Sequence, residues 1–465
     1  MIKKKIFILL PDGIGLRNFA YTDFCKEGNT KNFDVHFWNA TIFDLKALHF
    51  NEIKLGKIKI HPLTDILKNA KIQVGLNQFI KKENDIIYDT YRFPFASKSL
   101  KAKLKANLTK IVISYFNSGS QGIRKLDKWI QKLERRTKYY QNCLQTLKKE
   151  QPAFVFCTNQ RIVGAIAPLL AAQDLGIPTG TFIFSWDNLP KSTLIVETDF
   201  YFVWSNYMKE EILHYYPNIN PNQVIISGTP QFEPYFEKNN LIPKELFFKQ
   251  YGLKTDRKYI CYSGDDITTC PDDPQYLEDI AMAVEVLNEK GYDLGIVFRR
   301  SPVDFSDRYD KILQKHQNTI VPLNPKWERI GEHWNTVCPL QEDSVLLTNT
   351  VANTEMVINL GSSMVFDYVT HQKPCCYINY DVRNKRDENW SVEKIYKFVH
   401  FRSMPDKNSV IWLNSKDEIA SKIEVALSDS KMIVANAQKW FEIINQNPPE
   451  KASERLWDAI AKITA

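Results

Sequence analysis

An apolar run, a tight turn, a helix and a second apolar run follow one another between residues 355 and 380. The run at 355–360 (EMVINL) is typical of a buried strand, and the run at 375–380 (CCYINY) begins directly after Pro374. Gly361 allows the chain to turn sharply after the first run. Because two strands joined by a crossover helix in one sheet run parallel, the stretch predicts a parallel βαβ unit.

The turn of this unit is suited to binding a diphosphate. Ser362 and Ser363 are good N-cap residues for a helix that carries Met364, and a helix N-terminus offers free N–H groups and a partial positive charge. Asp367 lies one helical turn further along, where its carboxylate is expected to accept hydrogen bonds from ribose hydroxyls. The same Gly-Ser-Ser spacing also fits an ordinary strand-to-helix connection in any α/β protein.

Strand and helix patterns alternate along most of the chain, and its length sets the number of domains. A chain of 465 residues exceeds the size at which a single core stops growing, so two α/β domains with parallel sheets are expected. No apolar run reaches the roughly 18 residues of a membrane span, and the run at 6–10 is too short for a signal peptide. We therefore expect a cytoplasmic protein. The eight cysteines contain no C-x-x-C pair, so neither disulfides nor a structural zinc are expected.

A candidate catalytic carboxylate follows the first predicted strand. The run at 6–10 (IFILL) is a buried strand, and Asp12 stands at its tip. Gly13 and Gly15 would let a ligand approach the backbone at the edge of the sheet where open α/β folds bind. The pattern lacks the third glycine and the distant acid of a dinucleotide fingerprint. Asp12 is our first choice as general base, and capping of the next helix is the alternative role.

A second polar loop follows the strand predicted at 179–184. It contains Trp186, Asp187, Asn188 and Lys191, and such a loop at the carboxyl end of a buried strand is placed for chemistry. Asp187 is the second candidate base, although beside Trp186 and Asn188 it could equally hold the loop's shape. The mixed, aromatic stretch at 60–95 is interpreted as an insertion that shapes an acceptor pocket.

Strand tips in the second half of the chain supply further polar and cationic groups. Gly264 opens the turn after one predicted strand, and Arg299 and Arg300 emerge from the next. A guanidinium can neutralise a phosphate through two hydrogen bonds, so at least one arginine is expected to contact the diphosphate or the acceptor. Pairing of one of them with Asp304 or Asp307 is the alternative.

Positive charge is concentrated between Lys98 and Lys149. This segment has fourteen Lys or Arg residues against only Asp127 and Glu134, whereas the whole chain has a formal net charge of +7. Apolar residues recur beside the bases at helical spacing, which predicts amphipathic helices. Such helices can lie on an anionic membrane surface, where each nearby base contributes about 1 kcal/mol, and plain solvated helix faces are the alternative. No nucleic-acid-binding module is recognisable, so no nucleic-acid partner is expected.

Three segments carry a resemblance to a known family: the central unit at 341–380, the S-W-D-N loop at 185–188 and the glycine-proline turn at 227–232. They resemble GT-B type glycosyltransferases of bacterial capsule and lipopolysaccharide assembly, with a likeness that spans about residues 150–385. Asp367 stands where many of those enzymes have Glu. The resemblance implies two facing Rossmann-like domains with parallel sheets and a cleft between them.

The resemblance also implies how the chain and its site are divided. Residues 1–235 would form the acceptor-side domain, with a basic helical region at about 98–150. Residues 236–440 would form the nucleotide-sugar domain, and 441–465 a helix returning to the first domain. Beside the catalytic candidates Asp12 and Asp187, the acceptor-side candidates are Gly13, Gly15, Trp186, Asn188 and Lys191. The donor-binding candidates are Gly264, Arg299, Arg300, Glu342, Asp343, Gly361, Ser362, Ser363, Met364 and Asp367.

The reaction implied is transfer of a sugar from a nucleotide-sugar donor to a hydroxyl of a glycan or glycolipid acceptor, with inversion at the anomeric carbon. The chain has no D-x-D motif, so cationic groups are expected to stabilise the leaving diphosphate without a metal or a cofactor. Three alternatives fit the same patterns: a nucleotide-sugar 2-epimerase, a CDP-glycerol-type polyol-phosphate transferase and a catalytically inactive nucleotide-sugar sensor. The predicted location is cytoplasmic, with peripheral attachment to the inner face of the cell membrane as a further expectation.

Overall fold

The computed structural model describes residues 3–92, 99–329 and 337–465. The chain divides into two compact units, Met1–Pro230 with Ile444–Ala465, and Gln231–Ile443. Each unit is built around its own parallel β-sheet, which confirms the predicted α/β fold class.

Within the described part of the first unit, the sheet has seven strands, all of them parallel to their neighbours. The strands are β1 (Lys4–Leu10), β2 (Phe33–Asn39), β3 (Glu52–Lys54), β4 (Phe154–Cys157), β5 (Thr179–Phe182), β6 (Phe200–Val203) and β7 (Val224–Ile226). They lie in the order β3-β2-β1-β4-β5-β6-β7, so the direction of winding reverses between β1 and β4. The short apolar runs of the sequence form these strands because both faces of a parallel sheet are covered.

The helices of the first unit include one that the sequence did not predict. The helices before the unit boundary are α1 (Ile14–Phe19), α2 (Phe24–Thr30), α3 (Thr64–Glu83), α4 (Leu100–Phe116), α5 (Ser120–Glu134), α6 (Lys138–Glu150), α7 (Ile166–Asp174) and α8 (Asn206–Tyr215). The twenty-residue helix α3 occupies most of the stretch at 60–95, for which the sequence predicts an insertion without assigning a helix. Its buried face contributes Leu67, Ala70 and Val74 to the core of the first unit, and it packs against α4 and α5.

The described residues of the second unit form eight strands. They are β8 (Lys258–Ser263), β9 (Leu294–Arg299), β10 (Ile320–Pro322), β11 (Trp327–Arg329), β12 (Val337–Pro339), β13 (Val357–Asn359), β14 (Cys375–Ile378) and β15 (Ile411–Leu413). Six of them form a parallel sheet in the order β10-β9-β8-β13-β14-β15, and β11 pairs antiparallel with β12. The winding direction of this sheet reverses between β8 and β13.

Helices connect the strands of the second unit. They are α9 (Lys244–Tyr251), α10 (Asp273–Glu289), α11 (Asp310–Lys315), α12 (Gln341–Asn353), α13 (Met364–Val369), α14 (Val392–Tyr396), α15 (Ile419–Ser428) and α16 (Lys431–Ile444). Strand β13, helix α13 and strand β14 follow one another, and the two strands are parallel neighbours. The predicted βαβ unit is therefore confirmed.

The C-terminal segment belongs to the first unit, where α17 (Ala452–Ile463) packs on α2. Trp457 is fully buried, and its indole N–H donates a 2.6 Å hydrogen bond to the carbonyl oxygen of Phe24. A Cβ on Gly28 would lie 2.4 Å from the Trp457 ring, so this helix contact requires glycine at that position. The hydrogen bond and the close packing attach the last helix to the start of the chain.

The basic segment forms the three helices α4, α5 and α6. Lys98, the first residue of that segment, lies outside the described residues, and most of the other bases are exposed. Among the residues that the structure describes, no helix has the length and apolar character needed to span a membrane.

Candidate functional site

Asp12, Gly13 and Gly15 lie where the strand order of the first unit reverses, and the loop of Asp187 follows the neighbouring strand β5. Open α/β sheets bind ligands at the carboxyl ends of the strands that flank such a reversal. The strands here are β1, which Asp12 follows, and β4, which the polar run Thr158-Asn159-Gln160-Arg161 follows. The topology therefore places these residues at the position in the sheet where the fold offers a site.

Asp12 is buried at this edge, with 2% of its surface exposed. Asn159 Nδ2 donates a 2.7 Å hydrogen bond to Asp12 Oδ2, and the backbone N–H of Ile14 donates a 3.2 Å bond to Oδ1. Gly13, not Asp12, is the N-cap of α1, and no side chain caps that helix. Asp12 thus turns the backbone locally and also links the tips of two strands.

Burial raises the pKa of Asp12 to about 6, although the hydrogen bonds from Asn159 and Ile14 and the charge of Arg161 act in the opposite direction. A carboxyl group with this pKa is ionised at neutral pH and is a stronger base than an exposed aspartate. A pKa near the working pH is the property that general-base catalysis needs. Burial also lowers the pKa of Arg161, against the charges of Asp187 and Asp12.

Gly15 has a packing role, and the predicted approach of a ligand to the backbone at Gly13 and Gly15 stays a prediction. Both Gly13 and Gly15 are buried. A Cβ on Gly15 would lie 2.6 Å from Thr158 Oγ1 and 2.7 Å from Leu10 Cδ2. Gly15 therefore lets α1 pack closely over β1 and β4, and that space is filled by the protein.

The carboxylate of Asp187 forms hydrogen bonds and an ion pair within its own loop. Its Oδ1 accepts 2.7 Å hydrogen bonds from Ser185 Oγ and from Asn188 Nδ2, and its Oδ2 forms an ion pair with Lys191. These contacts are the structural role that the sequence had left open. They make Asp187 a weaker candidate for the base than Asp12.

The loop of Asp187 is connected to the tip of β4 through Gln160. Gln160 Nε2 donates a 3.2 Å hydrogen bond to Asn188 Oδ1, and Gln160 Oε1 accepts one from the N–H of Phe184. Asn188 and Trp186 are both buried. The structure therefore brings the two candidate bases into one polar cluster, joined by consecutive residues of one turn.

Sequence reasoning missed the residues that make this connection, Asn159, Gln160 and Arg161. The signal was present, because a run of four polar residues, 158–161, follows the buried strand β4, as Asp12 follows β1. Glu211 on α8 was also missed. Burial, with the charge of Asp187, raises its pKa well above the ordinary value, and its Oε2 has no hydrogen-bond partner in the described part of the chain.

In the second unit, the predicted diphosphate turn lies at the carboxyl end of β13. Gly361 has a φ of +64°, and a Cβ there would lie 2.9 Å from the Phe401 ring, so the turn requires glycine. Ser363 is the N-cap of α13, but its side chain accepts no capping hydrogen bond. Ser362 Oγ accepts from the N–H of Met364 at 3.4 Å, and Asn359 Oδ1 accepts from the N–H of Ser362 at 2.8 Å. The side chains of Asn359 and Ser362, and not that of Ser363, therefore accept hydrogen bonds from the backbone N–H groups of this turn.

Asp367 lies within α13 and is 4% exposed. The hydroxyl of Tyr235 donates a 2.7 Å hydrogen bond to its Oδ1. Met364, at the first turn of the same helix, is also buried. The ribose contact of Asp367 stays a prediction, and Tyr235 is a partner that sequence reasoning did not identify.

Arg299 and Asp343 form a buried ion pair, which differs from the separate donor contacts predicted for them. Arg299 Nη2 lies 3.0 and 2.8 Å from the two carboxylate oxygens of Asp343. Asp343 also accepts hydrogen bonds from the N–H of Lys326 and the indole of Trp327. Burial alone would raise the pKa of Asp343, but the charge and hydrogen bond of Arg299 hold it below the usual value. A buried carboxylate needs such compensation.

Two guanidinium nitrogens of the predicted donor site remain without a hydrogen-bond partner in the described ranges. They are Arg299 Nη1 and Arg300 Nε, and both atoms are buried. Arg300 donates through Nη2 to the carbonyl oxygen of Ser306 and lies over the Tyr309 ring. Glu342 is exposed on the first turn of α12. The arginines thus have unused donors at the tip of β9.

Gly264 packs closely against the side chains of Asp273 and Tyr309. A Cβ on it would lie 2.9 Å from Asp273 Oδ2 and 3.0 Å from the hydroxyl of Tyr309. Burial raises the pKa of Asp273 to about 6, although Tyr309 and Tyr262 donate hydrogen bonds to its carboxylate. Burial and the charge of Asp273 raise the pKa of Asp265 well above its ordinary value. Asp265, in the turn after β8, is therefore a buried acid with a raised pKa, and sequence reasoning gave it no role.

The described residues contain no cluster of three or more His, Cys, Asp or Glu side chains arranged to hold a metal ion.

No family profile matches the sequence, and no curated protein matches it. Solved structures do resemble it. The S. aureus MnaA–UDP co-structure matches with a TM-score of 0.52 and 14% identity, over 98% of this chain and 96% of that chain. UDP-GlcNAc 2-epimerase from Methanocaldococcus jannaschii matches with a TM-score of 0.51 and 13% identity, over 98% and 99%. A glycosyltransferase from Rickettsia africae matches with a TM-score of 0.51 and 11% identity, over 99% and 100%. The chain therefore has a GT-B-like fold with two Rossmann-like units.

Proposed function

We propose that this chain is an enzyme that acts on a nucleotide sugar and transfers the sugar to a hydroxyl of a glycan or glycolipid acceptor. The observation that carries the proposal is the polar cluster at the strand reversal of the first sheet, in which Asp12 has a pKa of about 6. A carboxylate of this kind can take a proton from an acceptor hydroxyl, whose own pKa is far above 7. The resemblance of residues 150–385 to capsule and lipopolysaccharide glycosyltransferases supports the same reaction class.

In the proposed reaction, the acceptor oxygen forms a bond to the anomeric carbon as the bond from that carbon to the diphosphate breaks. The acceptor proton passes to Asp12, and the nucleoside diphosphate leaves with the bonding electron pair. The donor-binding candidates in the second unit are the Gly361 turn, Asp367 and the unpaired donors of Arg299 and Arg300. A single displacement of this kind inverts the anomeric configuration.

A nucleotide-sugar 2-epimerase is a second candidate, because several of the structures with the same fold are UDP-GlcNAc 2-epimerases. The S. aureus MnaA structure, in addition, was solved with UDP. An epimerase changes the configuration at C2 of the donor sugar and needs no acceptor. Polyol-phosphate transfer, as with CDP-glycerol donors, would instead release a nucleoside monophosphate.

Product analysis separates these reactions. The protein is incubated with a panel of nucleotide sugars and CDP-glycerol, with and without lipid-linked or oligosaccharide acceptors, and the products are identified by mass spectrometry and NMR. The proposal expects release of a nucleoside diphosphate and a new glycosidic bond only when an acceptor is present. Formation of a C2 epimer without acceptor would replace it with the epimerase, and binding without turnover in every mixture would indicate a sensor.

A further inference from the structure

Helix α4 exposes an apolar stripe to solvent. Leu100, Leu104, Leu108, Ile111 and Tyr115 are between 40% and 86% exposed. An α-helix advances by about 100° per residue, so these five positions fall within an arc of about 80° on one side of the helix. Exposed apolar residues scattered singly need no explanation, but a continuous stripe along a whole helix marks an interaction surface.

The opposite side of α4 already packs against the protein. Thr109 is buried, and Val112, Ile113 and Phe116 pack against the core of the first unit. Lys105 forms a 2.8 Å ion pair with Asp65 on α3. The helix is therefore held in place by its inner face, and the outer stripe is additional to what the fold needs.

Lysines flank the stripe on both of its edges. By the same helical geometry, Lys101 and Lys105 border one edge, and Lys103 and Lys110 lie beyond the other. Lys101, Lys103 and Lys110 are exposed and have no ion-pair partner within the described ranges of the chain. The helix contains no Asp or Glu. An apolar centre between two basic edges matches a helix that lies in the surface of a bilayer, where lysines extend to the headgroups.

We propose that α4 attaches this protein to the surface of an anionic lipid bilayer, with the apolar stripe inserted and the flanking lysines on the headgroups. The positive charge of α4 favours an anionic bilayer over a second copy of the chain as the partner of the stripe. Pairing of two stripes would bring two sets of lysines together without an acidic residue on either helix. An anionic bilayer accepts both the apolar side chains and the charges. The proposal goes beyond the reaction proposed above and does not depend on it.

Vesicle flotation of the full chain tests the proposal. Wild-type protein is expected to float with vesicles of phosphatidylcholine and phosphatidylglycerol, and to stay in solution with phosphatidylcholine alone or at high salt. The double variant Leu104→Gln/Ile111→Gln removes the centre of the stripe and is expected to bind the anionic vesicles at least about tenfold more weakly. The variant Lys103→Gln/Lys110→Gln should weaken binding roughly 25-fold, because each lysine near the surface contributes about fivefold.

Matched controls make the same chemical changes elsewhere in the first unit. Ile86→Gln alters another exposed isoleucine, and Lys148→Gln/Lys149→Gln removes two exposed charges from α6. Both controls should bind vesicles as the wild type does, and thermal unfolding verifies that every variant is folded. Absence of wild-type binding to anionic vesicles would overturn the proposal. It would also be overturned by stripe variants that bind normally, or by lysine controls that lose as much binding as the α4 lysines.

Sedimentation velocity without lipid tests the alternative that the stripe binds a second copy of the chain. A wild-type dimer that the Leu104→Gln/Ile111→Gln change converts to a monomer, while vesicle binding is unaffected, would assign the stripe to self-association and refute the membrane proposal. A monomer in both proteins, together with lost vesicle binding in the variant, supports it.

Discussion

Asn159 Nδ2 donates a 2.7 Å hydrogen bond to Asp12 Oδ2, and this bond joins the tips of β1 and β4 where the strand order of the first sheet reverses. The donor is a neutral amide, so it satisfies one carboxylate oxygen without supplying a full opposite charge. Burial therefore dominates, and the pKa of Asp12 stays raised. The same bond fixes the direction of the carboxylate, which a general base requires.

Asp12→Asn is expected to lower the turnover number by a factor on the order of 10² to 10⁴, the usual contribution of general-base catalysis, because the amide cannot accept the acceptor's proton. Donor affinity should be unchanged. Steady-state kinetics with calorimetry of nucleotide binding measures both quantities. Asp187→Asn serves as the comparison, since its contacts hold the loop and its effect is expected mainly in the melting temperature. Near-normal turnover in Asp12→Asn with a collapse in Asp187→Asn would move the base to Asp187.

The raised pKa of Asp12 predicts a pH dependence of stability that does not require the reaction to be known. An aspartate has an ordinary pKa of 3.8, and folding raises that of Asp12 to about 6. The folded state binds the proton more tightly, so this contribution to stability is fully present below pH 3.8 and is lost as pH rises through 6. The loss amounts to about 3 kcal/mol, since each pKa unit corresponds to about 1.4 kcal/mol.

Urea unfolding of the wild type and of Asp12→Asn at several pH values measures this dependence. The free energy of unfolding of the wild type, relative to the variant, should fall as pH rises from 4 to 7. NMR of the Asp12 side-chain carboxyl carbon, assigned by comparison with the variant, gives the pKa directly. A midpoint near 4 in that titration would show that folding does not raise the pKa of Asp12.

Most of the strands, though not β3 or β10 to β12, could be predicted because the sequence signal for them is local. Runs such as 6–10 and 375–380 contain several apolar residues, and a strand that is covered on both faces needs apolar side chains at every position. The predicted ends differ from the observed ones by one or two residues. Helix α3 was missed because polar residues and Gly75 interrupt its apolar pattern. Lys71 also lies on the buried face of α3, where it forms an ion pair with Asp127 on α5, so that face is not uniformly apolar in the sequence.

The contacts within the site could not be predicted, because they join residues that are far apart in the chain. Asp12 and Asn159 are 147 positions apart, and Arg299 and Asp343 are 44 apart. Sequence reasoning correctly assigned Arg299 to a strand tip, but nothing in the local pattern favours Asp343 over Asp304 as its partner. Asp304 instead pairs with Arg308. Only the strand order shows which tips are neighbours.

The buried pair of Arg299 and Asp343 should be important for the stability of the second unit. Asp343→Asn leaves the buried guanidinium uncompensated and is expected to lower the free energy of unfolding by roughly 3 to 5 kcal/mol. Glu393→Gln is the matched control, because Glu393 pairs with Lys397 at the surface and its loss should change stability by less than about 1 kcal/mol. Chemical denaturation measures both. Equal, small effects would show that Arg299 is compensated by another group.

Turnover is expected to survive an excess of EDTA. The chain has no D-x-D motif, and the unpaired donors of Arg299 and Arg300 offer a cationic means to stabilise a leaving diphosphate. Rates measured before chelation, after chelation and after addition of magnesium or manganese examine this expectation. Activity that is abolished by EDTA and restored by either cation would assign the diphosphate to a metal ion.

Asp367 combines a structural contact with its predicted ribose contact, and a pair of substitutions separates the two. Its Oδ1 accepts the hydroxyl hydrogen of Tyr235, and the residue is buried in α13. Asp367→Ala is expected to weaken nucleotide binding by about 1 to 3 kcal/mol, the range for a lost hydrogen bond to a charged group. Tyr235→Phe removes the structural hydrogen bond but keeps the carboxylate, so it should retain most of the affinity.

Calorimetry with UDP, CDP, GDP and dTDP, with thermal unfolding on the same samples, distinguishes the outcomes. A ribose contact predicts that Asp367→Ala weakens binding of whichever nucleotides bind the wild type, whatever their base, because the lost bond is to the sugar. A purely structural role predicts that Asp367→Ala and Tyr235→Phe lower the melting temperature to a similar extent. Unchanged affinity in Asp367→Ala for every nucleotide that binds the wild type would exclude the ribose contact and leave Asp367 as the partner of Tyr235.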